Sequence, residues 1–207
     1  MNVLWQCPDE AVAALVLAHG AGAGMTHRNM QAIADAFERA GIATLRFNFA
    51  FVEAGARRVD AREVATARIA EAFAATKERT ALPVWLGGHS FGGRMASHAV
   101  LDEGLDPPGL IFCAFPLHAA GKPSTARAAH LAGIKKPMLF LSGTRDALAE
   151  RPLLEEVVAG LPDAELHRLD TADHGYRVLK RRRQCAEDVF EEMGRAARGF
   201  VDEILAR

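Results

Sequence analysis

Six short apolar runs alternating with helix-length segments constrain this chain more than any single motif does. The runs are Ala13–Ala18, Ala43–Phe47, Val84–Gly87, Leu110–Ala114, Pro137–Ser142 and Glu165–Leu169. Most are continuously apolar, the pattern of strands covered on both faces. Helices are predicted over Asn29–Ala40, Ala61–Thr80, Gly92–Glu103, Pro152–Leu161 and Gln184–Ala206. In the last of these, Val189, Phe190, Met193, Ala197, Phe200, Val201, Ile204 and Leu205 recur at three- and four-residue steps and form an apolar face. Such alternation predicts an α/β fold with a mostly parallel central sheet of about six to eight strands and helices on both faces. The chain of 207 residues carries no internal repeat, low-complexity tract or linker, so residues 1–207 are expected to form one domain. In an open sheet of this kind, ligands bind outside the carboxyl ends of the strands. Catalytic residues are therefore sought directly after strands.

Three strand ends satisfy that search. After "PVWL" comes "GGHSFGG", in which Gly88-His89-Ser90-Phe91-Gly92 matches G-x-S-x-G. This motif places a serine on a sharp strand-to-helix turn, where neighbouring β-carbons have no room. The helix that follows would favour negative charge developing near Ser90. After "PMLFLSG" the chain turns through "TRDAL", which offers Asp146 as the carboxylate that orients a histidine. A turn or helix-cap aspartate is the plainer use of such a residue. After the last strand comes "DTADHGY", with His174 as the proton carrier. Asp170 and Asp173 are rival acids, but they stand too close to His174 in sequence to approach it from another strand end. His167 and His98 fall inside predicted elements, and His118 and His130 precede Asp146. Ser90, Asp146 and His174 alone keep the order serine, acid, histidine.

A glycine-rich loop, "AHGAGAGM", follows the first run. Its spacing is not that of a dinucleotide fingerprint, since neither Gly20 nor Gly22 opens a G-x-G-x-x-G. Backbone N–H groups unobstructed by side chains suit an oxyanion hole instead. Phe91 and Ala21 are expected to supply the two donors, with Gly22 beside them lining the substrate site.

Composition removes other classes of function. Net charge is −1 with histidine neutral, so no global field draws nucleic acid or an anionic membrane. The basic run at 180–183 reads as a solvated helix start, because no aromatic residue is interleaved with it. No apolar stretch approaches the roughly 18 residues a membrane span needs. The N-terminus lacks the basic and apolar regions of a secretory signal. Three widely spaced cysteines, Cys7, Cys113 and Cys185, argue against a disulfide framework, and a cytoplasmic location is expected. The histidines lack ligand-like spacing and there is no CxxC or HExxH, so neither a metal nor another cofactor is expected.

With these residues placed, the chain resembles the α/β-hydrolase superfamily over nearly its full length. Within it, the sequence is similar to the small, cap-less, dienelactone-hydrolase-like group. More narrowly, it resembles bacterial hydrolases related to testis-expressed hydrolase-like proteins and to a hydrolase-like subunit of the NSL acetyltransferase complex. That narrower likeness rests on "HGAGAGMTH", "RFNFAF", "GGHSFGGRMAS", "FPLHAAGKP", "SGTRDAL" and "DTADHGY". It implies an α/β-hydrolase fold and the Ser90–Asp146–His174 assignment. Dienelactone hydrolase itself carries a cysteine nucleophile where this chain has Ser90, and His89 stands where the narrower family often has lysine. The interval between Phe115 and Pro137 is too short for a folded lid domain.

The expected activity is hydrolysis of a small carboxylic ester, thioester or lactone through an acyl-enzyme on Ser90. A hydrolase fold serving as an interaction module with an idle triad is the alternative. His118 is expected to contact substrate, and Arg57, Arg58 and Lys122 are available to an acidic group on it. The oligomeric state is not legible.

Overall fold

The computed structural model describes residues 1–207. Seven strands form one sheet: β1 (Val3–Gln6), β2 (Ala13–Ala18), β3 (Ile42–Phe47), β4 (Val84–His89), β5 (Leu110–Cys113), β6 (Met138–Gly143) and β7 (Ala164–Leu169). Their spatial order is β1-β3-β2-β4-β5-β6-β7, and every pair is parallel except β1 with β3. Six α-helices accompany them: α1 (Arg28–Arg39), α2 (Ala50–Glu53), α3 (Arg62–Arg79), α4 (Phe91–Asp102), α5 (Arg151–Ala159) and α6 (Val189–Leu205).

Side-chain alternation along β2 sorts the core into two faces. Ala13, Leu15 and Leu17 pack with Met30, Ile33 and Phe37 of α1 and with Met193, Ala197 and Val201 of α6. Ala14, Val16 and Ala18 pack on the other face with Ala65, Ile69 and Ala72 of α3 and with Met95, Ala96 and Ala99 of α4. All six residues of β2 are buried, which is why it reads as an unbroken apolar run; all six of β3 are buried too, Thr44 and Arg46 included. Beyond β5, a 3-10 helix at Ala126–Gly133 sets Ala128 and Leu131 against Phe112, Phe115 and Phe140. This short helix fills the interval that was too brief for a lid, and no additional domain is present.

Three elements escaped the sequence reading: β1, α2 and the 3-10 helix. β1 is a four-residue edge strand, only partly buried, and so lacks a continuous apolar signature. The last helix starts at Val189 instead of Gln184. Asp188 caps it by accepting the Phe190 N–H at 2.9 Å, while the Gln184 N–H is bound to Asp170 at 2.8 Å. The basic run at 180–183 therefore lies in a turn, and Arg183 is folded inward with 6% of its side chain exposed. Its guanidinium meets Glu192 and donates to the Asp170 carbonyl at 2.6 Å. The run is thus not a helix start, and Arg183 departs from the expected solvation, while Lys180, Arg181 and Arg182 are exposed.

The chain leaves β2 toward β3 on one side, while β4 pairs with β2 on the other. Ala18, at the carboxyl end of β2, is in register with Gly88 of β4. This is the switch point of the sheet, where the loops leaving two adjacent strands diverge.

Candidate active site

Ser90 stands between β4 and α4 with φ 53° and ψ −116°, a strained conformation for a residue with a side chain. The strain is sustained by close approach around it. A β-carbon on Gly92 would lie 2.3 Å from the Ala18 carbonyl oxygen, and one on Gly88 would meet the same oxygen at 2.3 Å. Both motif glycines therefore let the turn press against the end of β2. The Ser90 N–H donates to the Cys113 carbonyl at 2.9 Å, which ties the turn to β5.

His174 follows β7. Its Nε2 lies 2.8 Å from Ser90 Oγ, and its Nδ1 lies 2.8 Å from Asp146 Oδ2. Asp146 occupies the turn after β6 with its side chain fully buried, and its Oδ1 accepts the Leu148 N–H at 2.8 Å. Both carboxylate oxygens thus have partners. The loop carrying His174 is stiffened from within, since Asp173 Oδ1 accepts the N–H groups of Gly175 and Arg177, each at 2.9 Å. It is also anchored from below, where the Tyr176 hydroxyl donates to the Leu141 carbonyl at 3.1 Å.

Two further histidines act on the frame of this site. His19, at the head of the glycine-rich loop, is buried between Phe49 and Phe51. Its Nε2 accepts the Phe49 N–H at 3.1 Å, so its proton sits on Nδ1 and is donated to the Gly20 carbonyl at 2.8 Å. Burial lowers its pKa. His89 donates from Nε2 to the His174 carbonyl at 2.9 Å. Burial is the main reason that its pKa falls to about 4. A neutral imidazole therefore sits beside His174, with ring centres 5.3 Å apart.

The glycine-rich loop reaches Ser90: a β-carbon on Gly20 would lie 3.6 Å from that of Ser90. The Ala21 N–H donates to no backbone or side-chain acceptor, and neither does the Phe91 N–H at the head of α4. The Gly22 N–H is unengaged as well, so free amides lie on both segments flanking the serine. A cleft of about 790 Å³ opens here, lined by Ala21, Gly22, Ser90 and His174.

The remaining expectations are placed elsewhere. His118 is buried, its Nδ1 is bonded to the Ala119 carbonyl at 2.9 Å, and it does not line the cleft. Arg57, Arg58 and Lys122 do not line it either. The basic residues that do are Arg28, Arg145 and Arg177, which the sequence reading missed. Two of them were within reach of a pattern: Arg145 immediately precedes Asp146, and Arg177 stands three residues after His174. Cys113 is fully buried, and that burial pushes its thiol pKa up to about 12. No three His, Cys, Asp or Glu side chains converge in a way that could hold a metal ion. No helix is long and apolar enough to cross a membrane.

A parallel sheet with a serine on a tight strand-to-helix turn, served by an acid and a histidine from later strand ends, defines the α/β-hydrolase class. The chain belongs to the α/β-hydrolase domain family, which it matches over residues 11–202. Among solved structures it is similar to Est1E from Butyrivibrio proteoclasticus with ferulic acid bound. The two share 15% identity at a TM-score of 0.76, over 100% of this chain and 96% of that one. It is also similar to dienelactone hydrolase from Anabaena variabilis, at 16% identity and TM-score 0.72, covering 97% of this chain and 90% of that one. A serine hydrolase without a lid from Xanthomonas campestris aligns at 22% identity and TM-score 0.66, over 99% and 88% of the two chains.

Proposed function

We propose that this protein is a serine hydrolase that cleaves a small carboxylic ester, thioester or lactone through an acyl-enzyme on Ser90. The observation that carries the reading is the unbroken line of contacts from Ser90 Oγ through His174 to Asp146, both at 2.8 Å. In the reaction, His174 Nε2 takes the Ser90 proton as Oγ attacks the substrate carbonyl, and then delivers it to the leaving group. Asp146 holds the Nδ1 proton and offsets the charge of the imidazolium. The Phe91 and Ala21 amides receive the oxyanion. Water then repeats the sequence from the same face of the histidine and releases the acid. The esterases and serine hydrolases among the structural neighbours are in keeping with this reading.

A fluorophosphonate probe tests it. Stoichiometric labelling of the folded protein on Ser90, abolished in Ser90→Ala, is the expected result. Asp146→Asn keeps the Leu148 N–H acceptor yet presents the wrong hydrogen-bonding partner to His174, so ester turnover should fall by about 10³- to 10⁴-fold in a folded protein. Absence of labelling, or labelling that survives Ser90→Ala, overturns the reading in favour of an interaction module.

A further inference from the structure

Three guanidinium groups line the cleft, from Arg28, Arg145 and Arg177, and none of them is paired with a carboxylate. One carboxylate, that of Asp173, lines the cleft with them. Asp146 is committed to His174, and Asp173 directs its Oδ1 to two backbone N–H groups. Arg145 is held in place by donating to the Thr171 carbonyl at 3.1 Å. A chain with a net charge of −1 thus sets three guanidinium groups against one lining carboxylate around one serine.

The start of α1 borders the same cleft. Arg28 is the first residue of that helix, whose first turn contains no acidic residue. A cation at the positive end of a helix opposes the dipole. Acids do stand in the first turns of α3 (Glu63) and α6 (Glu191 and Glu192), whereas α4 and α5, like α1, have none. The α1 cap is uncharged as well: His27 Nδ1 accepts the Asn29 N–H at 3.2 Å, which requires that nitrogen to be unprotonated. His27, Arg28 and Asn29 all face the cleft. The positive end of α1 therefore adds to the arginine charge at the cleft and favours an anion there.

Resting on the hydrolase reading, we infer that the substrate carries an anionic group, carboxylate or phosphate, which Arg28, Arg145 and Arg177 hold while Ser90 attacks the acyl carbon. The group lies either on the acyl half or on the alcohol half of the substrate, and two matched ester pairs distinguish these sources. Mono-4-nitrophenyl glutarate is compared with 4-nitrophenyl butyrate, and 1-butyrylglycerol 3-phosphate with monobutyrin. The expected result is a kcat/KM ratio of roughly tenfold or more for the anionic member of one pair, shrinking as salt is raised. Arg28→Gln, Arg145→Gln and Arg177→Gln should each lower that ratio severalfold, and the triple variant should bring it to about one. The control Arg57→Gln/Arg58→Gln, equally basic but outside the cleft, should keep the native ratio. Ratios near one in the native protein with Ser90 still labelled by the phosphonate overturn this inference alone, as does a native ratio retained in the triple variant. Failure of labelling together with no turnover of any of the four esters overturns the hydrolase reading and this inference with it.

Discussion

His89 Nε2 donates to the main-chain carbonyl of His174 at 2.9 Å, so the residue before Ser90 fixes the backbone of the histidine whose ring contacts Ser90. Removing this donor should let the His174 loop drift without touching the reacting atoms. His89→Ala is expected to lower kcat by about tenfold with KM nearly unchanged, because angstrom-scale misplacement of a catalytic group is felt mainly in the chemical step. His89→Gln, which retains an N–H donor, should recover most of the loss. Equal damage in both variants would show that the ring's packing matters and its hydrogen bond does not.

Acid stability follows from three histidines. His89, His98 and His130 are each pushed down to about 4, chiefly by burial. The rings of His98 and His130 stack with centres 3.6 Å apart, beside Arg62 and Arg94, so protonating either adds a cation among cations. Their folded values lie below the ordinary 6.5, so between these limits the unfolded chain binds more protons than the folded one. Stability is complete above pH 6.5 and is lost as the pH falls toward 4. His89 alone contributes on the order of 2 kcal/mol to that loss after allowance for partial solvent screening. Urea midpoints at pH 7.5 and 4.5 measure the effect, and His98→Gln/His130→Gln should show a visibly smaller drop between them. An unchanged drop in that variant would assign the acid sensitivity elsewhere.

Close approach at the serine turn makes a stability test. Gly92→Ala would put a methyl group 2.3 Å from the Ala18 carbonyl and 2.6 Å from that of His19, where only backbone movement gives relief. A loss of roughly 3 kcal/mol or more, or failure to fold, is expected. Gly22→Ala meets nothing within 4 Å and should leave the melting temperature within about 1 °C. Comparable melting temperatures for the two variants would contradict the geometry.

Arg183 presents a contrast among neighbours of like charge. It is buried against Glu192, whose other oxygen contacts His167 Nε2 at 3.0 Å. Arg183→Ala leaves that carboxylate short of its main partner and should cost about 2–4 kcal/mol in chemical denaturation. Arg182→Ala, exposed in the same run, should cost less than about 0.5 kcal/mol. Similar costs for the two would mean that the buried pair contributes nothing specific.

Where helices and strands lie was largely written in the sequence. The boundaries of α1, α3 and α4 fall within one residue of those expected, because buried parallel strands and amphipathic helices impose separate periods on the chain. Elements that depend on a neighbour for their burial were not legible. β1 exists because Val3–Gln6 finds the free edge of β3, and the start of α6 is decided by Asp188 and by a bond to Asp170.

The residue types at the site were legible for a similar reason. A serine among glycines after a strand, an acid after another and a histidine after a third are local features whose order survives without coordinates. The sequence by itself determined the sheet, the helices and the strand ends at which Ser90, Asp146 and His174 stand. Only the tertiary structure decided that His174 lies 2.8 Å from both partners, across 84 residues of chain to Ser90 and 28 to Asp146. It alone buried His118 and Arg183 and turned Arg28, Arg145 and Arg177 into one cleft. Periodicity reports the face a residue presents to its own element, whereas a polar side chain's surroundings depend on which distant elements pack there.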